Sequence, residues 1–196
     1  MKVGITGGIG TGKSYVGMLL RQRGIGIYDC DAGAKRLMLT DSKLRQQLKS
    51  LIGPEAYLSS GSLDKSVVAQ FLLASEHNAR QIDHIVHPAV VSDFLASGLL
   101  WVESAILFEA GLDSVVDHVV CVTAPLEVRL RRIVRRDHIT REKAMQWVER
   151  QMPQDEVVRR SHYVIVNDGE MPLQPQIDRL LCCLNGKSKC NTTIPK

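Results

Sequence analysis

Eight residues near the start of the chain, Gly7-Gly8-Ile9-Gly10-Thr11-Gly12-Lys13-Ser14, carry the clearest chemical signal. They fit the pattern G-x-x-x-x-G-K-[ST]. Glycines let consecutive backbone N–H groups turn inward and line an anion-sized hollow. A helix starting at the end of such a loop points its positive pole at the same place. Gly8, Gly10, Thr11 and Gly12 would form the hollow, Lys13 would reach the terminal phosphates and Ser14 would ligate Mg2+. The ligand class is a nucleoside triphosphate. The loop does not say which one; no Asn-Lys-x-Asp pattern for reading guanine occurs, and by analogy with chains of this size the class is a small-molecule kinase.

A phosphoryl acceptor needs a group to take its proton. Asp29-Cys30-Asp31 ends a predicted strand, and the carboxyl ends of parallel strands converge on a ligand crevice. Asp31 is the candidate base, and Asp29 a candidate partner for a metal-bound water. A helix cap at Asp31 is the competing reading. Arg129, Arg131, Arg132, Arg135, Arg136 and Arg141 crowd one helical stretch. They could form a lid closing charge over a transferring phosphoryl group, or a solvated basic face. Residues 129–150 hold eight Lys/Arg against three Asp/Glu, a local +5, while the rest of the chain sums to −1. That distribution favours a local anion site over a nucleic-acid-coating surface, and no aromatics are interleaved for stacking on bases. His84 and His87 are three apart with no obvious third ligand, so a structural role is favoured. Glu103 and Glu109 stay open between a metal-water ligand, a substrate contact and a salt bridge. Asn167-Asp168-Gly169 reads as a turn, in a place that also suits an adenine contact by Asn167.

These residues need a frame. Short apolar runs at Val3–Thr6, Gly26–Tyr28, Leu100–Glu103, Val119–Thr123 and Tyr163–Val166 read as strands covered on both faces. Helical periods fill Lys13–Arg23, Asp31–Gly53, Asp64–Leu73, Ala79–Leu99 with a kink or break at Pro88, Leu126–Asp137, Arg141–Gln151 and Leu173–Leu184. The alternation predicts an α/β fold: a five-stranded parallel sheet flanked by helices, with two helical excursions. The expected core is 1–31, 100–125 and 152–185, with excursions at 32–99 and 126–151 and a frayed tail at 186–196. The chain has 196 residues, of which 44% are hydrophobic and 23% charged, the balance of a soluble globular protein. No apolar run reaches membrane-span length and no secretory leader is visible, so the expectation is a cytoplasmic protein without membrane or nucleic-acid partners. It would be a monomer or weak homo-oligomer. Five cysteines without a Cys-x-x-Cys pair argue against a disulfide framework or zinc site.

The combination Thr6 to Ser14, Asp29-Cys30-Asp31, His87-Pro88, Leu107-Phe108-Glu109, Arg136-Asp137 and Thr140-Arg141-Glu142 closely resembles the dephospho-CoA kinase family, from the N-terminus to about Gly169. The resemblance implies a P-loop kinase fold in which 32–99 is a CoA-substrate domain and 126–151 a lid. It implies that ATP phosphorylates the ribose 3′-hydroxyl of dephospho-CoA, giving CoA and ADP. Asp31 then maps to the proposed base, Arg141 to the lid arginine, and Thr6, His87 and Glu109 to the acceptor side. Two departures stand out. Tyr15 replaces the Thr that many members carry beside the nucleotide, and Ser104-Ala105-Ile106-Leu107 replaces a Pro-Leu-Leu stretch. The alternatives are a kinase for another small hydroxyl acceptor, a nucleoside or shikimate-like alcohol, and a non-enzymatic nucleotide switch.

Overall fold

Five short runs rich in β-branched residues form one parallel sheet in the computed structural model, which describes residues 1–186. The expected frayed tail therefore lies, from residue 187 on, outside the described residues. The strands are β1 (Val3–Thr6), β2 (Ile27–Asp29), β3 (Trp101–Glu103), β4 (His118–Thr123) and β5 (Tyr163–Val166), in the order β2-β3-β1-β4-β5. β1 pairs with β3 and β4, and β4 with β5, all in parallel. All four residues of β1 are buried, as a central strand covered on both faces requires. The chain leaves β1 for one side of the sheet and later returns to the other. This reversal of strand order places the ligand crevice outside the carboxyl end of β1.

The helix α1 (Lys13–Arg21) follows that end directly. Val16, Leu19 and Leu20, at i, i+3 and i+4, pack on Val3, Ile5, Val120, Val122 and Ile165 of the sheet. Ile177 and Leu180 of the last helix join the same core. Leu20 is completely buried there. Leu20→Ala is expected to lower unfolding free energy by about 2–5 kcal/mol, because the cavity collapses only partly. A urea titration would show it as a lower midpoint at unchanged slope.

The chain divides into two compact units, Met1–Ile27 with the chain from Leu100 onward, and Tyr28–Leu99. The second unit is helical: α2 (Cys30–Thr40), α3 (Ser42–Ile52), α4 (Lys65–Ala74) and α5 (Glu76–Ala96). Polar caps start these helices. Asp64 accepts from the N–H groups of Ser66 and Val67, as expected of the cap on α4, and Ser75 accepts from that of Asn78. Two expectations are corrected here. The single helix expected over Asp31–Gly53 is two, because Asp41 adopts an extended backbone and accepts from the Leu44 N–H at 2.8 Å. A cap that satisfies an orphan donor competes with continuing the helix. Nor does Pro88 break α5: it sits at an exposed position inside the helix. The buried stripe Ile82, Val86, Val90 and Phe94 runs past it on both sides, offsetting the one backbone bond that proline removes. Within this unit Tyr28 donates to Asp93 at 2.5 Å, and Asp93 also pairs with Arg36. Burial, with Asp93 adding to it, raises the Tyr28 phenol well above its usual range.

The first unit adds α6 (Leu126–Asp137), α7 (Arg141–Glu149), α8 (Gln154–Arg160) and α9 (Leu173–Leu184). α6 ends at His138, which takes a left-handed conformation (φ 52°). Thr140 caps α7, as expected, by accepting from the Lys143 N–H. This hairpin has its own small core of Leu130, Ile133 and Ala144, with Trp147, Val148 and Ile9 packed against it. The expectation had no α8, whose seven residues follow Pro153. Cys183 is disulfide-bonded. No described helix is long and apolar enough to cross a membrane.

Candidate active site

Gly7–Ser14 leaves the end of β1 and turns into α1 through Gly12, whose φ of 84° is a left-handed conformation that suits glycine. The loop's amides fall into two groups. The N–H groups of Gly8, Ile9 and Thr11 are bonded within the protein, to Gln154, Gln151 and the Gly8 carbonyl. Those of Gly10, Gly12, Lys13 and Ser14 have no partner among the described residues. Four unpartnered donors at a helix N-terminus form a cradle for an anion. Thr11 is buried and its hydroxyl has no partner. Thr6 is buried just below, at the end of β1.

Beside this cradle lies a carboxylate whose importance the sequence only hinted at. Glu103 ends β3, is 5% exposed, and uses one oxygen for two partners. Its Oε1 accepts from Lys13 Nζ at 2.9 Å and from Ser14 Oγ at 2.8 Å. Its Oε2 lies 3.6 Å from an Arg21 nitrogen. The helix is shaped around it: a Cβ on Gly17 would stand 2.8 Å from Oε2. Lys13 and Ser14 are the residues that loop chemistry assigns to phosphate and to Mg2+. Mg2+ takes oxygen ligands at about 2.0–2.1 Å in octahedral geometry, so neighbouring ligands lie about 3 Å apart. Ser14 Oγ and Glu103 Oε1 meet that spacing, and the phosphates of a nucleotide would complete the set. No group of three or more metal-ligating His, Cys, Asp or Glu occurs among the described residues.

Two of the arginines weighed as part of a lid or of a solvated face grip the loop. Arg129 is 5% exposed and its Nε donates to the Ile9 carbonyl at 2.9 Å. Burial lowers the pKa of its guanidinium below the usual arginine value. Arg132 donates to the carbonyls of Gly10, Thr11 and Asn167. The Asn167 side chain, expected near the nucleotide base, donates to the Thr11 carbonyl at 2.8 Å and accepts from Arg132. Its amide thus fixes the loop. Asp168 accepts from the N–H groups of Glu170 and Met171, the turn expected there, and these bonds lower its carboxyl pKa. Cys121 accepts from the Gln154 amide beneath the loop, and burial pushes its thiol up to about 12.

Other candidates are placed less centrally. Arg141 is exposed on α7 and makes a two-pronged pair with Glu127, at 2.8 and 2.6 Å, which lowers the Glu127 carboxyl pKa. Glu109 is exposed and accepts from the Met152 N–H. Tyr15 is exposed on α1. Asp31 and His87 belong to the helical unit. Asp29, not Asp31, is the cap of α2, accepting from the Ala32 N–H at 3.0 Å. Asp31 is an exposed carboxylate in the first turn, without a partner among the described residues. His87 is half-buried, its Nε2 3.4 Å from Asp83.

A family model for dephospho-CoA kinase matches residues 1–172. The chain belongs to the dephospho-CoA kinase family. A dephospho-CoA kinase of Bacteroides fragilis is 42% identical over 194 residues, covering 95% of this chain and 94% of the relative. Among solved structures, TT1252 from Thermus thermophilus is similar at 30% identity and a TM-score of 0.78, covering 97% of this chain and 98% of that one. A dephospho-CoA kinase from Campylobacter jejuni shares the fold at 18% identity and a TM-score of 0.69, over 96% of this chain and all of that one. Membership of the dephospho-CoA kinase family makes the chain a kinase with a P-loop fold and a small-molecule substrate. It favours dephospho-CoA over a nucleoside or shikimate-like acceptor.

Proposed function

We propose that this chain transfers the γ-phosphoryl group of ATP to the ribose 3′-hydroxyl of dephospho-CoA, releasing CoA and ADP. The observation that carries the nucleotide half is the cradle of four unpartnered amides with Lys13 and Ser14 at its rim; the acceptor follows from the family. In this reading Lys13 exchanges Glu103 for the phosphates. Ser14 and Glu103 would hold Mg2+, which draws negative charge from the phosphate oxygens when bound. Asp31 takes the proton of the 3′-hydroxyl as the new O–P bond forms and the bond to the ADP oxygen breaks. Arg141 leaves Glu127 to balance charge on the transferring group, and the hairpin α6–α7 acts as the lid. Residues 28–99 supply the substrate domain, with His87 there and Thr6 and Glu109 at the loop unit on the acceptor side. Tyr15 borders the nucleotide, and Asn167 serves it by holding the loop. The setting is the cytoplasm, and the protein acts as a monomer or weak homo-oligomer.

Incubation with ATP, Mg2+ and dephospho-CoA should yield a product with the mass of CoA, in step with ADP release. Shikimate and nucleosides should yield none. Turnover with one of those acceptors and none with dephospho-CoA would overturn the assignment.

A further inference from the structure

One residue of the phosphate loop is held from both roots of the α6–α7 hairpin. The Ile9 carbonyl accepts from Arg129 Nε at 2.9 Å, near the start of α6. The Ile9 N–H donates to Gln151 Oε1 at 2.7 Å, two residues past the end of α7. The Ile9 side chain packs on the hairpin core of Leu130, Ile133 and Ala144. Loop and hairpin also meet without slack: a Cβ on Gly10 would lie 2.7 Å from the Arg129 carbonyl oxygen and 3.0 Å from Ile133. Ile9 is adjacent to Gly10, the first of the four unpartnered amides.

We infer that Ile9, Arg129 and Gln151 form a coupling joint that passes phosphate occupancy of the loop to the hairpin carrying Arg141. They are positioning residues, since none needs to touch a reacting atom. The physical reason is geometric. Both hydrogen-bonding groups of the Ile9 peptide units are committed to the hairpin, so a shift of the Gly10 amide toward a phosphate turns Ile9 and pulls on both roots together. Packed elements respond to such shifts by moving as bodies, because interiors are too dense to absorb them locally. Gln151 is suited to the task because its amide oxygen accepts without adding negative charge beside a polyanion. The inference rests on the kinase reading for its link to turnover, but nucleotide binding and hairpin movement can be followed without any acceptor.

Trp147 provides the readout. It packs against the hairpin core one helical turn before Gln151. In a Trp101→Phe background it is the only tryptophan. Saturating ADP should change its emission. Gln151→Met keeps the size of the side chain and removes the acceptor. It should keep ADP affinity within about threefold by calorimetry, lose most of the Trp147 response, and lower kcat about ten- to a hundredfold, the scale of lost positioning. Ile9→Ala, which keeps both backbone bonds but unplugs the core, should show the same pattern more weakly. The inference is overturned if Trp147 does not respond to ADP in the background protein. It is also overturned if both variants keep the full response and turnover, or if ADP affinity falls as far as turnover does, which would mark these contacts as scaffolding of the loop alone. Loss of the Trp147 response in a protein that phosphorylates some acceptor other than dephospho-CoA would uphold the joint and sink only the acceptor assignment.

Discussion

Asp31→Asn should lower kcat by about 10²–10⁴-fold, the range typical for removing a general base, while ATP affinity stays within about threefold. The substitution is close to isosteric and the structure makes it a clean test. The cap of α2 is supplied by Asp29, so Asp31 holds no helix end in place. It is exposed and has no partner among the described residues, so no buried group there is orphaned when its charge is lost. Thermal unfolding of the variant should match that of the wild type. Asp29→Asn should keep most turnover and stability alike, since Asn is as good a cap as Asp. If Asp31→Asn retained more than about a tenth of wild-type kcat, the general-base role would be wrong.

A second large effect is expected at Lys13, and here stability and activity separate. Lys13→Met removes the cation facing the phosphates, a loss of about 10²–10³-fold in kcat/KM by analogy with single charge-stabilising donors. It also strips Glu103 of its closest cation. Glu103 is 5% exposed and Lys13 13%; breaking a buried pair from one side costs about 3–5 kcal/mol, chiefly through the uncompensated charge that remains. Ser14 and the more distant Arg21 soften that cost. Lys13→Met/Glu103→Gln should regain most of the stability and none of the turnover. Chemical denaturation of the four proteins in the cycle checks the first statement and a coupled ADP assay the second.

Much of the frame was legible from residue order because its signals are local. The phosphate loop is a contiguous pattern, the strands are apolar runs between turns, and Asp64 and Thr140 announce their helices. What stayed hidden depended on partners distant in sequence, or on competition between near neighbours. The leucines at 37, 44, 48 and 51 keep a helical spacing across Asp41, so periodicity alone could not reveal the break. Asp29 and Asp31 are both plausible caps, and only backbone geometry separates them. Arg129 and Arg132 look like their exposed neighbours in a basic run, yet one is buried and both bond loop carbonyls. Gln151 and Gln154 carry no sequence signal at all, because their acceptor role comes from a loop over 140 residues away. Glu103 was visible as a strand-end acid, but its burial against Lys13 and Ser14 was not.

Glu103 has a consequence for what the resting enzyme ignores. With its lysine already paired to an internal counter-ion, the cradle offers stray inorganic phosphate or sulfate its amide dipoles but no free ammonium. Such an anion would have to evict a carboxylate without bringing a cation to resettle it. A polyphosphate carrying its own divalent ion can satisfy the carboxylate and the lysine together. The pairing of Lys13 with Glu103 thus favours a guest that brings its own cation.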